Sequence, residues 1–149
     1  MMDSVVKAFR QIKWHYADRD DRARGELTER IAARARKQRT LTYGELVEGV
    51  RFHLANVNDG VPFHIGGAEW TDLDRALLGD FLGYISMESY DAGGFMASAV
   101  VVSKSTGEPS EGFRALMRQL GLLRGSNSDA ALMLWSAELT KAYEWYASH

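Results

Sequence analysis

Cysteine is absent from the 149-residue sequence, and only two prolines and four histidines occur. Without cysteine the chain has no disulfide, no thiolate zinc site and no cysteine nucleophile. No apolar run approaches the roughly 18 residues that span a bilayer, and the first residues lack the apolar core of a signal peptide. We therefore expect a cytoplasmic protein with no membrane partner.

The motifs that mark many catalytic and cofactor sites are also missing. No HExxH or i,i+4 pair of histidines occurs, and there is no nucleophile elbow, P-loop or GxGxxG sequence. A nuclease of the PD-(D/E)xK type needs an acid two residues before its lysine, but Val102 precedes Lys104. His53, His64 and Asp59 form a candidate metal corner, although ordinary histidines are the favoured interpretation. We expect no catalytic residue, bound metal or cofactor.

The sequence contains enough apolar surface for one folded domain. Hydrophobic residues make up 46% of the chain, which includes six Phe, six Tyr and four Trp. This composition excludes a disordered chain. Apolar alternation suggests a short strand at 61–65. Apolar spacing predicts helices over 5–16, 26–38, 42–56, 72–82 and 110–121, and from about 128 to the C-terminus.

The clearest β signal predicts a hairpin over residues 84–104. Residues 84–90 and 95–104 are two strand-like runs, separated by Asp91-Ala92-Gly93-Gly94. The second run is apolar on both faces at 97–102, so we expect that strand to be buried. The predicted fold class is α+β, a mostly helical single domain with a small antiparallel sheet formed by this hairpin.

Charge is distributed unevenly along the chain, although the net charge is only −2. Residues 1–40 carry 11 basic and 6 acidic side chains, a net charge of +5, whereas residues 41–149 carry 7 and 14, a net charge of −7. This split predicts a basic helical N-terminal arm over 1–40 and an α+β core domain over 41–149. The candidate residues for contact with a partner are Arg22, Arg24, Arg30, Arg34, Arg36, Lys37 and Arg39.

Three interpretations of the basic segment 19–39 remain open. The segment is a solvated helix face, or it docks on the acidic remainder of the chain or on a second copy, or it binds the phosphates of a nucleic acid. No aromatic residue lies between the arginines, so a surface that stacks single-stranded bases is not indicated.

A second candidate site centres on Glu88 in the predicted first strand of the hairpin. On a strand, Glu88 shares a polar face with Ser86. With Ser98, and with Tyr43 and His64 if the fold brings these close, it forms a small polar pocket in which a carboxylate acts on a ligand or a proton. The alternative is that Glu88 is a solvent-facing strand residue.

Residues 40–46, Thr-Leu-Thr-Tyr-Gly-Glu-Leu, contain a capping box, Thr42 with Glu45, that starts a helix. This segment resembles the opening of the winged-helix DNA-binding domain of alkylguanine alkyltransferases and alkyltransferase-like proteins. The resemblance implies a winged-helix-like middle of the chain, in which two helices precede the hairpin. It implies no alkyl transfer, because Ser-Ala-Val-Val-Val at 98–102 stands where the family has its Pro-Cys-His-Arg motif.

The helix that corresponds to the DNA-reading helix of that family is acidic. It carries Asp72, Asp74 and Asp80 against Arg75 alone, a charge that phosphates repel. No DNA-reading residue is therefore carried over. Residues 99–113 are similar to a strand–turn–helix segment of uncharacterised bacterial proteins, and no activity follows from that similarity.

The sequence thus predicts a non-catalytic binding or regulatory protein of bacterial type. Its contacts are with protein, including a second copy of itself, or with nucleic acid through residues 19–39. The alternative function is that of a small enzyme or ligand-binding domain with a pocket around Glu88, Ser86 and Ser98.

Overall fold

The computed structural model describes residues 3–149, and helices account for most of them. The predicted class, a mostly helical α+β domain, is confirmed. Residues 3–149 form six α-helices: α1 (Ser4–Arg10), α2 (Asp21–Arg36), α3 (Tyr43–Val47), α4 (Asp72–Gly93), α5 (Glu111–Gln119) and α6 (Ser128–Ser148). Short 3-10 turns lie at Ala17–Arg19, Asn58–Gly60 and Ala97–Val100, and two short strands are β1 (Leu41–Thr42) and β2 (Val101–Val102).

The sheet is parallel, so the prediction of an antiparallel hairpin over 84–104 is wrong. β1 pairs with β2 in the register Leu41↔Val101 and Thr42↔Val102. Parallel strands need a long crossover between them, and here α3, α4 and their connections supply it. Only the second half of the predicted hairpin contributes a strand. That strand is buried, as its sequence predicts.

Residues 84–93, predicted as the first strand and the loop, form the second half of α4. Phe81, Ile85 and Ser89 follow one another at intervals of four residues and are all buried, so one helical face continues through the predicted strand. The helix ends at Gly94, whose φ of +73° is left-handed and whose N–H donates to the Tyr90 carbonyl at 2.8 Å. The glycines that suggested a hairpin loop therefore terminate a helix.

Other predicted elements also differ from the structure. α1 ends at Arg10, whereas the predicted first helix continues to residue 16. α2 begins at Asp21 rather than 26, because the Asp20 carboxylate accepts the N–H of Ala23 at 3.0 Å and caps a helix that runs through the charged segment. The strand predicted at 61–65 is reduced to a single antiparallel bridge between Phe52 and Phe63.

The segment from Phe95 to Val102 lies at the centre of the fold. Every residue in it is at most 6% exposed, and it packs against α4 on one side and α6 on the other. Its backbone forms only one short 3-10 turn and a two-residue strand, so several of its polar groups need partners from elsewhere. Ser89 of α4 supplies two: its O–H donates to the Phe95 carbonyl at 2.8 Å, and its Oγ accepts the Ala97 N–H at 2.9 Å.

α6 supplies two further side-chain partners of this segment. The buried Glu138 carboxylate accepts the N–H of Met96 at 3.0 Å, and Lys141 balances its charge at 2.9 Å. The Trp135 Nε1–H donates to the Ala99 carbonyl at 2.8 Å. These bonds fix the position of α6 relative to α4.

Two apolar clusters surround this centre. α1 joins α5 and the first half of α6 in one cluster through Val5 and Phe9. α2 joins α3, α4 and the end of α6 in the other cluster, to which it contributes the buried side chains Ala23, Leu27, Ile31, Ala32 and Ala35.

The start of α3 is held by the predicted capping box and by α2. Thr42 Oγ1 accepts the Glu45 N–H at 3.1 Å, and Glu45 Oε1 accepts the Thr42 N–H at 3.0 Å. The Arg34 guanidinium donates to Glu45 Oε2 at 3.0 Å; this bond, followed by the Thr42 N–H, lowers the pKa of Glu45 from 4.5 to about 2. α3 ends at Val47, well before the predicted residue 56, and Gly49 then turns the chain with a φ of +73°.

Gly79 and Gly83 of α4 form a matched pair for testing how closely Trp14 packs on this helix. A Cβ at Gly83 would lie 2.9 Å from Trp14 Cζ3, whereas one at Gly79 would meet nothing within 4 Å. We expect Gly79→Ala to raise the free energy of unfolding by up to about 1 kcal/mol through helix propensity. Gly83→Ala should lower it by about 1–3 kcal/mol through overpacking. Urea denaturation measures both, and equal changes would show that Trp14 does not pack on Gly83.

We expect the Glu45 carboxylate to titrate near pH 2 in the wild type and closer to 4.5 in Arg34→Ala. Carbon NMR of Glu45 Cδ measures the midpoint. The folded pKa lies below the unfolded value, so the contribution to stability is complete above about pH 4.5 and is lost as the pH falls towards 2. Arg75→Ala, which removes a different arginine, is the control and should leave the midpoint unchanged. A midpoint unaffected by Arg34→Ala would contradict the pairing.

Candidate functional site

Two of the five residues predicted for the Glu88 pocket are in direct contact. The Ser86 O–H donates to Ser98 Oγ at 2.7 Å, and the Ser98 N–H donates to Ser86 Oγ at 3.1 Å. Ser86 is fully buried and Ser98 is 6% exposed. The pair fastens the turn at 97–100 to α4, and of the two only Ser98 lines a cavity.

Glu88 lies on a different side of α4 from Ser86. Alternate residues share a face on a strand, whereas on a helix they are rotated by about 200°. Glu88 Oε1 accepts a hydrogen bond from Arg24 Nε at 3.2 Å, and about half of its side chain is exposed. It lines a groove of about 640 Å³ formed by α2, α4 and α6. The helix therefore separates Glu88 from the serines that the sequence grouped with it.

Tyr43 and His64 also lie apart from Glu88. The Tyr43 O–H donates to Ser110 Oγ at 3.1 Å, and the Tyr43 oxygen accepts the Ser110 N–H at 2.9 Å. His64 Nδ1 lies 2.8 Å from the Val50 carbonyl oxygen. Tyr43 shares a cavity with Ser98, whereas His64 lines neither that cavity nor the groove beside Glu88.

The cavity shared by Tyr43 and Ser98 is a cleft of about 900 Å³. It is bounded by the segment that follows α1, by the start of α3, by α4 and by α5. Four charged side chains line it, together with several hydroxyls and the amide of Gln119. The apolar and aromatic part of its lining includes Ile12, Trp14, Tyr43, Trp70, Leu78 and Phe113.

One wall of the cleft is positioned by Asp80 of α4. Its carboxylate accepts the backbone N–H groups of His15 at 3.3 Å, Tyr16 at 2.9 Å and Ala17 at 2.8 Å. These bonds hold the segment after α1 against α4. Trp14 then lies edge-on to Tyr84 with ring centroids 5.4 Å apart. Hydrogen bonds to a charged group contribute about 1.5–3 kcal/mol each, so this wall is firmly attached.

Small residues of α4 line the cleft, and the space beside one of them, Gly83, is filled by Trp14. Ala76, Gly79 and Gly83 line it at helical spacing, and no atom lies within 4 Å of a Cβ built at Gly79. The sequence contains this signal as small residues at i, i+3 and i+7. The predicted helix ends at 82, so the stripe was not recognised, and neither Trp14 nor Trp70 was predicted as a site residue.

Both carboxylates that line the cleft already accept hydrogen bonds from other groups of the protein. Asp80 accepts the three backbone N–H groups described above. Glu111 accepts hydrogen bonds from Arg118 at 2.6 Å and Arg114 at 3.2 Å, and these bonds, the Arg118 bond first, lower the pKa of Glu111 below its ordinary value. The two cations of the lining, Arg75 and Lys104, are less constrained, and only Arg75 has an ion-pair partner within residues 3–149.

Arg22 and Arg24 of the basic segment are bonded within the chain. Arg24 donates to Glu88 and lies 4.6 Å from the centroid of the Tyr84 ring, with only 15% of its side chain exposed. The Arg22 guanidinium donates to the Arg51 carbonyl at 2.6 Å. These two arginines connect α2 to α4 and to the segment after α3.

Arg30 and Arg34 dock α2 on the segment that contains α3. Arg30 Nη1 donates to the carbonyls of residues 45, 46 and 48, at 3.2, 3.1 and 2.6 Å. Arg34 donates to the Thr40 carbonyl at 2.9 Å and to the Glu45 carboxylate. The remaining candidates, Arg36, Lys37 and Arg39, are exposed, and their side chains form no hydrogen bond or ion pair with the described residues.

No helix within residues 3–149 is both long and apolar enough to cross a membrane. In the same residues, no three His, Asp or Glu side chains come together in a way that would hold a metal ion. The resemblance of residues 40–46 to winged-helix domains stays a prediction, and residues 84–93, where it places part of the hairpin, are helical. Comparisons of the chain with protein-family models, curated proteins and solved structures find no match.

Proposed function

We propose that this is a binding protein and that the cleft between α4 and α5 takes a small molecule with an apolar body. The cleft itself is the observation that carries the proposal, because about 900 Å³ of space is lined mainly by apolar and aromatic side chains. Small-molecule sites typically have volumes of about 300–1,000 Å³ with such a lining and a few polar groups. The sequence offers, as an alternative function, a ligand-binding domain with a pocket around Glu88. We propose ligand binding in a different cavity, the cleft between α4 and α5.

Two indole rings support this proposal. Trp14 and Trp70 both line the cleft. Neither Nε1–H donates to a group in the described residues, in contrast to the Nε1–H of Trp135, which is bonded to Ala99. An aromatic body therefore finds apolar ring surface in the cleft, and hydrogen-bond donors remain available to it.

A binding role is favoured over a catalytic one by the state of the polar groups. General acid–base chemistry needs a carboxylate or a similar group that is free to take up a proton from the substrate. Asp80 and Glu111 are instead bonded to backbone N–H groups and to arginines. Ser98 Oγ accepts a hydrogen bond from Ser86, and no histidine lines the cleft to activate it.

The neutral fluorescent probe phenylnaphthylamine tests the cleft directly. We expect a saturable rise in its fluorescence with one site per chain. Gly79→Phe places a ring where a Cβ at Gly79 meets nothing within 4 Å, so it should weaken binding at least about tenfold without unfolding the protein. NMR should show shifts of the Trp14 and Trp70 indole N–H groups on binding.

Ala137→Phe is the matched control, because Ala137 is an exposed helical residue outside the cleft. It should bind the probe like the wild type. Equal binding by Gly79→Phe, or shifts confined to Trp135 and Trp145, would place the probe elsewhere and refute the proposed site.

Contact with an anionic partner through the end of α2 is a second candidate function. The observation that favours it is the exposure of Arg36, Lys37 and Arg39 without a bonding partner in the described residues. The partner we propose is nucleic acid, which is one of the alternatives that the sequence leaves open, and the cytoplasm is the proposed location of that contact. The four arginines that are bonded within the chain are not part of this proposal.

We expect duplex DNA to bind at about 50 mM salt and about 40-fold more weakly at about 200 mM, the dependence for three phosphate contacts. The triple variant Arg36→Gln, Lys37→Gln, Arg39→Gln should abolish binding. The matched triple variant Lys7→Gln, Arg10→Gln, Lys13→Gln, also at exposed positions, should retain it. Absence of wild-type binding at low salt would eliminate nucleic acid as the partner.

A further inference from the structure

We propose that the ligand of the cleft carries a negative charge beside its apolar body, as an aromatic carboxylate does. This inference rests on the proposed function of the cleft and adds the chemical class of the ligand. It follows from which charges and hydrogen-bonding groups of the lining are already used by the protein.

Counted by residue type, the cleft is neutral. Its charged lining consists of two acids, Asp80 and Glu111, and two bases, Arg75 and Lys104. A formal count therefore favours neither an anionic nor a cationic ligand. The bonding of each group changes that conclusion, because a charge that already has close partners has less attraction left for a ligand.

Both acids have their partners within the protein. Asp80 accepts N–H groups from three consecutive residues, at 3.3, 2.9 and 2.8 Å. Glu111 accepts from Arg118 at 2.6 Å and from Arg114 at 3.2 Å, and neither of these arginines lines the cleft. A cationic ligand would compete with these bonds for the same oxygens.

Both bases are available by comparison. Lys104 is exposed, and no acid within the described residues forms an ion pair with it. Arg75 pairs only with Asp72, at 3.3 Å, with 63% of the Arg75 side chain exposed and Asp72 fully exposed. An exposed pair of this kind is weak, so a ligand readily replaces it. The charged groups of the lining that remain available to a ligand are therefore basic, because Asp80 and Glu111 already accept several hydrogen bonds each.

The uncharged groups of the lining also favour an anionic ligand. The indole N–H groups of Trp14 and Trp70 are donors without an acceptor in the described residues. The Tyr43 and Ser98 oxygens, by contrast, already accept bonds from Ser110 and Ser86. Among these four residues, therefore, the indole donors are free and the oxygens are occupied, whereas the Gln119 amide, which has no bond in the described residues, offers both donors and an acceptor. A carboxylate, which only accepts hydrogen bonds, complements such a site.

Displacement of phenylnaphthylamine by three naphthalene compounds tests the charge preference. Naphthoate is anionic, naphthalenemethanol is neutral and naphthylmethylamine is cationic, while the apolar body is the same. We expect naphthoate to bind at least about tenfold more tightly than the alcohol, and the amine to bind most weakly. The advantage of naphthoate should decrease as the salt concentration rises.

The double variant Arg75→Gln, Lys104→Gln should reduce the advantage of naphthoate to about threefold or less, whereas binding of the alcohol changes little. Both side chains are exposed, so folding is not at risk. Lys7→Gln, an exposed lysine of α1 outside the cleft, is the control and should retain the full preference.

Three outcomes would overturn this inference. Equal affinities for the three compounds would refute the anionic ligand while the cleft remains a binding site. A naphthoate preference that survives in the double variant would refute the assignment to Arg75 and Lys104. If phenylnaphthylamine itself does not bind, both the proposed function and this inference are wrong.

Discussion

The buried segment from Phe95 to Val102 is the constraint on which the rest of the structure depends. A backbone without a helix or a long ladder keeps unpaired N–H and C=O groups, and each one left unsatisfied in the interior costs about 1–3 kcal/mol. Ser89 of α4 and Glu138 of α6 form three bonds with these groups, and Trp135 of α6 adds another. The two longest helices are thereby held on opposite sides of one segment, and β2 continues from its end to pair with β1.

This arrangement also explains why α4 borders two separate cavities. The helix is a single element from Asp72 to Gly93, and its buried face packs against the central segment. Small residues on one side line the cleft, while Ile85 and Glu88 on another side border the groove with α2 and α6. A cluster around Ser86 cannot form a pocket here, because the serine hydroxyls are used to satisfy the backbone of 95–98.

Elements with local signals were predictable from the sequence, and those that depend on distant contacts were not. The capping box of Thr42 and Glu45, the start of α6 and the burial of 97–102 all follow from short patterns and are present. Residues 84–93 were misassigned because serines and aromatic residues suit a strand surface, while their actual partners lie elsewhere in the chain. Of the candidate site, only Tyr43 and Ser98 were anticipated, since its walls meet solely through the tertiary fold.

The charged residues also show why counting residue types does not replace the structure, because the fold determines which charges already have partners. The excess of arginine in residues 19–39 suggests a surface for an external anion, yet four of these arginines hold α2 on its neighbours by donating to carbonyls and carboxylates. The cleft shows the opposite case. Its lining contains equal numbers of acids and bases, but both acids already accept hydrogen bonds from other groups of the protein. The two bases therefore remain more available to a ligand. The attraction that remains for a ligand is therefore set by the charges that the fold leaves without a close partner or with only an exposed one, and these lie at Lys104 and Arg75.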